Sequence, residues 1–164
     1  MDRPTTKKTQ VNGIAFVASA LLAPGMAAAI FFIIPGLADP SIAPGEIGRL
    51  IGSFLFLMVM VSFWGALPSL VFGGLVLAAI QQMPWRGRPG MVVLMMGGVV
   101  AAGLYVLTGL GVAGASPPVA LFFAPWATDL GAPSANGQDW WLVASLLLAG
   151  AAAGLIYGAL AKRG

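Results

Sequence analysis

The chain has 164 residues, of which 59% are hydrophobic and only 8% are charged. A soluble domain carries about a quarter charged residues to cover a surface that faces water, so this composition excludes an ordinary soluble globule and indicates surroundings of lipid. The formal net charge of +3 is better explained by basic loops beside a membrane than by nucleic-acid binding, and we expect no nucleic-acid partner.

The first apolar segment runs from Ile14 to Ala38 without a charged residue. At 1.5 Å per residue, about 25 helical residues exceed the roughly 30 Å of hydrocarbon in a bilayer. A cleaved signal peptide is the competing interpretation, because Lys7 and Lys8 precede the run. Signal cores extend over only about 7–15 residues, so we predict a membrane span over residues 14–38.

The second apolar run, from Leu50 to Ile80, also lacks charge. As a helix it would measure roughly 45 Å, too long for one perpendicular span, yet no polar turn divides it into two. We predict a span over about residues 56–80, kinked near Pro68, with residues 47–54 lying partly at the membrane interface.

Two more apolar runs, 91–112 and 140–161, complete the set of predicted spans, with an outer loop at 113–139 between them. These four spans and their loops use nearly all of the chain. The sequence therefore predicts an all-α integral membrane protein, in which residues 1–164 form a single domain of four transmembrane helices arranged as a kinked bundle.

Orientation follows from the eight basic residues, seven of which fall on one side of the predicted spans. Because Lys and Arg resist translocation, the side with the basic excess is cytoplasmic. We predict that both chain ends face the cytoplasm, and that Arg49 lies on the other side. The seven cytoplasmic residues are Arg3, Lys7, Lys8, Arg86, Arg88, Lys162 and Arg163.

The predicted spans contain no Asp, Glu, Lys, Arg or His, and the chain has no Cys and no His at all. Buried ionisable groups are the usual agents of proton-coupled transport and intramembrane catalysis, and His is the commonest metal ligand and general base. Ser62 and Ser69 would be nucleophiles without a base. We predict no catalytic residue, no cofactor and no metal site, and hence no enzyme.

Small residues recur at every fourth position in the spans, a spacing that lets helix backbones approach closely. The all-glycine stripe of the fourth span is the least expected by chance in a chain this rich in small residues. We predict that two stripes pack helices together, within the monomer or against another subunit. They comprise Gly150, Gly154 and Gly158 in the fourth span, and Gly65, Ser69 and Gly73 in the second.

The outer loop carries a strongly apolar segment bracketed by Pro117-Pro118 and Pro125. Exposed to water it would form a hydrophobic patch. It could dip into the outer leaflet, cap the helices, or contact a partner or lipid. The residues predicted for this contact are Leu121, Phe122, Phe123 and Trp126.

The predicted spans lack candidate catalytic and metal-binding residues, and they carry faces of small residues. Both features favour a non-catalytic accessory or structural subunit that packs against a larger membrane protein complex. The alternative is a carrier or channel component for a lipid or another neutral apolar molecule. We expect membrane lipid and either a protein partner or a second copy of the chain as contacts. The glycine-rich helices and basic inner loop resemble small bacterial membrane proteins in general, so we expect a multi-pass protein of the bacterial inner (cytoplasmic) membrane.

Overall fold

A computed structural model describes residues 12–37, 47–83, 89–112 and 138–162. These ranges form four α-helices: α1 (Gly13–Leu37), α2 (Ile47–Gln82), α3 (Met91–Val112) and α4 (Gln138–Ala161). Each helix contains a stretch long and apolar enough to cross a membrane, namely Gly13–Gly36, Ile51–Gln82, Met91–Gly109 and Trp140–Ala161. The described ranges are all-helical, and the four apolar helices suggest a multi-pass membrane protein.

Helices suit these sequences because lipid offers no hydrogen bonds, so each backbone group must be satisfied within its own segment. The start of α1 is fixed by Asn12, whose side-chain Oδ1 accepts a hydrogen bond from the Ala15 amide at 3.1 Å. Its carbonyl oxygen accepts from the Phe16 amide at 3.0 Å. Asn12 is therefore the N-cap that satisfies the otherwise unpaired first turn.

Helix α2 is the longest, with 36 residues, or about 54 Å at 1.5 Å per residue. It begins at Ile47, whereas the predicted second span begins at Phe56. The segment 47–54 thus continues the same helix, which carries its one basic residue, Arg49, exposed in the first turn. No proline interrupts α2 before Pro68, so nothing in its local sequence ends the helix earlier.

The helices are neighbours in the cyclic order α1, α2, α3, α4, and diagonal pairs scarcely touch. Neighbours run antiparallel. Between α1 and α2, for example, Gly36 faces Phe54 at one end and Gly73 faces Phe16 at the other. The start of α1 therefore lies at the end of the molecule where α4 finishes.

Contacts at both ends of the α1–α4 pair show that these two helices are antiparallel. The Trp141 Nε1 at the beginning of α4 donates a hydrogen bond to the Phe31 carbonyl oxygen near the end of α1, at 3.2 Å. At the opposite end, the Tyr157 hydroxyl lies close to the backbone of Asn12.

Small side chains dominate the interior of the described region, with Ala15, Ala20, Ala27, Ala28, Ser19, Ser145 and Ala149 all buried. Large apolar side chains mostly point outward, as in the 77% exposed Phe63 and the 79% exposed Trp140. This distribution is reasonable in lipid, where helices associate by close packing of small residues rather than by hiding apolar surface from solvent.

Candidate functional site: a cavity between the four helices

The four helices surround an apolar cavity of about 1200 Å³. All four contribute to its wall, and many of the lining residues are small, including Ala23 of α1, Ser69 of α2, Ala101 of α3 and Ala153 of α4. Because these positions carry little side chain, the backbones can be neighbours while the space between them stays unfilled.

The cavity wall is uncharged. Its side chains with a polar group, among the described residues, are those of Ser19, Trp64, Ser69, Tyr105 and Tyr157, and none of its described lining residues is acidic or basic. The Ser19 hydroxyl donates a hydrogen bond to the Phe16 carbonyl oxygen of its own helix, at 2.9 Å. Such back-bonding satisfies a serine without any ligand. The wall is suited to an apolar molecule or to the apolar part of an amphiphile.

One end of the cavity is closed by large side chains. Ile80 of α2 and Leu94 of α3 are only 7% and 8% exposed, and both line the cavity. Ile80 also packs on Gly97, where an added Cβ would lie 2.7 Å from the Ile80 Cδ1 atom. This closed end is the one at which α1 begins, because α2 finishes there.

The other end of the cavity is open to the exterior. Three of its lining side chains are exposed: Phe32 by 41%, Met60 by 43% and Trp64 by 65%. They come from the C-terminal part of α1 and the N-terminal half of α2, and the other described lining residues are buried or half-buried. The two ends of the cavity therefore differ: it is closed where α1 begins and open where α1 ends.

The glycines of the fourth-span stripe all face α3. A Cβ built at Gly150 would collide with the Gly98 carbonyl oxygen, and one at Gly154 would collide with the Leu94 carbonyl oxygen. At Gly158 an added Cβ would lie 2.9 Å from the Met91 sulfur and 3.0 Å from the Leu94 Cδ1 atom. These are contacts within one chain, so the α3–α4 seam is backbone against backbone at Gly150 and Gly154, over about one turn, and backbone against side chain at Gly158.

The residues of the second stripe, in α2, do not all have the same surroundings. An added Cβ at Gly65 would lie 2.6 Å from the Pro24 Cγ atom, and one at Gly73 would lie 3.3 Å from the Phe16 ring. Both glycines thus face α1, whereas Ser69 between them lines the cavity. Gly65 and Gly73 border the cavity as well, so this stripe marks the edge where the α1–α2 contact meets the open space.

No cluster of metal-binding type occurs in the described ranges, because three or more acidic, Cys or His side chains do not come together there. The fully buried Ser145 donates to the Trp141 carbonyl oxygen of its own helix at 2.7 Å. Every buried side-chain nitrogen or oxygen in the described ranges has a partner. The hydroxyls of Ser19 and Ser145 are satisfied within their own helices.

The outer-loop contact residues Leu121, Phe122, Phe123 and Trp126 fall outside the described residues, so their predicted role stays a prediction. The cavity, in contrast, was missed by sequence reasoning, which interpreted small residues as packing contacts. The available signal was the placement of prolines and small residues on the same faces of α1 and α2, since Pro24 and Pro68 both line the cavity.

Comparisons with protein-family models, with curated proteins and with solved structures find no match to this chain.

Proposed function

We propose that this protein holds a lipid, or another neutral molecule with a long apolar chain, between its four helices, and so acts as a carrier or lipid-binding component of a membrane. The observation that supports the proposal is the apolar cavity of about 1200 Å³. Pockets for small molecules usually measure roughly 300–1,000 Å³, so this one has room for a long or branched chain.

The volume also supports an occupant. Protein interiors are close-packed and contain few voids larger than a water molecule, whereas this space measures about 1200 Å³. Because the space is open at one end, molecules from the surroundings would fill it, and the nearest source of apolar molecules is the bilayer.

The chemistry of the wall restricts the occupant. A charged group inside an apolar site is costly unless it is paired, and the described wall offers no charged partner. The apolar chain would occupy the cavity, and any charged headgroup would stay outside. These neutral polar groups in the wall are compatible with a neutral hydroxyl or ester in the occupant at most.

For the cellular setting, the proposal keeps the predicted orientation. The end of the molecule shared by the start of α1 and the finish of α4 would face the cytoplasm, in agreement with the basic residues near both termini and the retention rule for Lys and Arg. The membrane would be the inner membrane of a bacterium. The open end of the cavity would then face the outer leaflet.

The accessory-subunit hypothesis stays a prediction beside this one. Its sharpest element, the apolar outer loop, lies outside the described residues. The exposed apolar side chains of α2, such as Phe63, are equally suited to lipid and to a partner helix, whereas the cavity specifically favours an apolar ligand.

The test compares lipid retained by two matched variants. Ala153 lines the cavity, and Ala159 of the same helix is exposed and does not. Ala153→Phe should displace the bound chain, whereas Ala159→Phe should add a side chain on the membrane side only. Purified protein is washed extensively in mild detergent, and retained lipid per protein is measured by native mass spectrometry.

We expect lipid on the parent and on Ala159→Phe, and loss of most of it from Ala153→Phe. A parent protein without stoichiometric lipid, or equal retention by the two variants, would contradict the proposal. A stoichiometric protein recovered in place of lipid would favour the accessory-subunit hypothesis.

A further inference from the structure

We propose that the apolar chain enters and leaves the cavity sideways, from one leaflet only, through an opening bordered by Phe32, Met60 and Trp64. The inference rests on the proposed function and adds the route by which the apolar chain moves between the bilayer and the cavity. On the predicted orientation the leaflet is the outer one.

The combination of lining and exposure locates the opening. Val59 and Phe63 of α2 are 66% and 77% exposed but do not line the cavity, as expected for side chains that face lipid. Ile80 lines the cavity but is buried. Met60 and Trp64 differ from both groups, because each borders the cavity and is also exposed, and we therefore place the opening beside them.

In three of the four seams between neighbouring helices, a close contact joins the two helices. Gly98 and Gly150 bring the α3 and α4 backbones together. Pro24 and Gly65 do the same for α1 and α2. The hydrogen bond from Trp141 to Phe31 joins α4 to α1 at the open end.

In the fourth seam, between α2 and α3, the described contacts lie towards the closed end of the cavity. Ile80 packs on Gly97 near the closed end, and the rings of Phe72 and Tyr105 lie 6.0 Å apart further along. Beyond Tyr105, α3 contributes no described residue to the cavity wall, whereas α2 continues to line it with Trp64 and Met60. The opening therefore lies along the N-terminal half of α2.

This geometry fixes how a lipid would sit. The closed end, formed by Ile80 and Leu94, receives the chain terminus, because it is buried and apolar. The headgroup remains at the opening, in the leaflet from which the lipid came, since the described wall carries no charge to accompany a headgroup inward. The protein would therefore extract a chain from one leaflet without moving the headgroup across the bilayer.

The absence of cysteine from the chain allows a direct test with single-cysteine variants. Met60→Cys places a thiol at the opening, and Val59→Cys places one on the neighbouring residue, which is exposed but does not line the cavity. Each full-length variant is loaded with a phospholipid that carries one isotopically labelled acyl chain. It is then modified with a bulky, membrane-permeant maleimide and mixed with unlabelled phosphatidylethanolamine–phosphatidylglycerol vesicles.

We expect the modified Met60→Cys variant to retain its labelled lipid while the modified Val59→Cys variant releases it at the unmodified rate. When the order is reversed, modification of Met60→Cys should prevent loading and modification of Val59→Cys should not. A reagent that merely filled the cavity would expel the loaded lipid, so retention after loading identifies a blocked route. Equal release from the two modified variants, or expulsion from Met60→Cys, would overturn the proposed opening. Failure of the proposed function is distinct, because then the unmodified protein would carry no labelled lipid.

Discussion

Trp141 of α4 donates a hydrogen bond to the same carbonyl oxygen of α1 that Pro35 leaves without its helical donor. In a regular α-helix the amide of residue 35 would donate to the carbonyl oxygen of residue 31, and proline has no amide hydrogen. The Trp141 Nε1 lies 3.2 Å from that Phe31 oxygen. A helix bond lost within α1 is thus replaced by a bond between α1 and α4, which lets a proline be tolerated where lipid offers no donor.

Replacing Trp141 with Phe should therefore destabilise the α1–α4 contact, because the Phe31 carbonyl oxygen loses this donor. Hydrogen bonds between membrane helices average about 0.6 kcal/mol with a maximum near 1.7 kcal/mol, and we expect a loss in that range. The measurement is the free energy of unfolding from titration of bicelle-embedded protein with sodium dodecyl sulfate.

Two further variants distinguish the effect of losing this hydrogen bond from the effect of losing the indole surface. Trp140→Phe removes the neighbouring indole, which is 79% exposed, and should change stability little. Pro35→Ala restores the amide of residue 35, so Trp141→Phe should cost less in that background. Equal costs with and without Pro35 would show that the Trp141 bond does not compensate for the proline.

Gly154→Leu should destabilise the α3–α4 seam, since an added Cβ would collide with the Leu94 carbonyl oxygen and lie 2.9 Å from the Met95 Cα atom. Overpacking typically costs about 1–3 kcal/mol. We expect a lower melting temperature in detergent. Gly103→Leu is the matched control, because no atom lies within 4 Å of a Cβ built at Gly103. A Gly154→Leu protein as stable as this control would mean that the seam is not closely packed in solution.

Membrane orientation can be read by reporter fusions at three junctions. The distribution of Lys and Arg predicts cytoplasmic readings after Arg88 and after Lys162, and an external reading near Asn136. Alkaline phosphatase and a fluorescent protein, active on opposite sides of a bacterial inner membrane, give paired readings at each junction. An external reading after Arg88 would overturn the span assignment and the outer-leaflet position of the cavity opening.

Changing Phe122 and Phe123 to serine tests the outer loop. Burying a large apolar side chain is worth about 1.5–3 kcal/mol, so we predict that both rings are sheltered from water in the outer leaflet or against a partner. The double variant should insert normally but recover less bound lipid or partner in mild detergent. Unchanged recovery, with single cysteines at both positions freely labelled by a water-soluble maleimide, would identify an ordinary solvated loop.

Spans were predictable because lipid imposes a length and an absence of charge that can be read directly from the chain, as in residues 14–38. Finer assignments were not. Trp140 and Trp141 are adjacent tryptophans at the start of α4, yet the structure exposes Trp140 and bonds Trp141 to α1. Adjacent residues lie on different helix faces, and the sequence does not indicate that Phe31, 110 residues away, needs a donor.

The cavity was unpredictable for a related reason. Ala23, Ala101 and Ala153 have the same small side chains as residues in sealed seams, yet they line open space. Whether a small residue brings two backbones together or leaves a gap depends on how far apart the helix axes lie, which is set by contacts elsewhere. Gly98 against Gly150 fixes the separation of α3 and α4, while no comparable pair of glycines brings α2 against α3 in the described ranges.

The seam of glycines has a mechanical consequence. Because Gly98 and Gly150 meet through backbone atoms, no side-chain rotation can change the spacing of α3 and α4 at this level, and we expect the two helices to move together as a rigid pair. The α2–α3 seam rests instead on the Ile80 side chain and the Phe72 and Tyr105 rings, which can rotate. We therefore expect the cavity to fit wider or narrower chains mainly by movement of α2, while α3 and α4 keep their spacing.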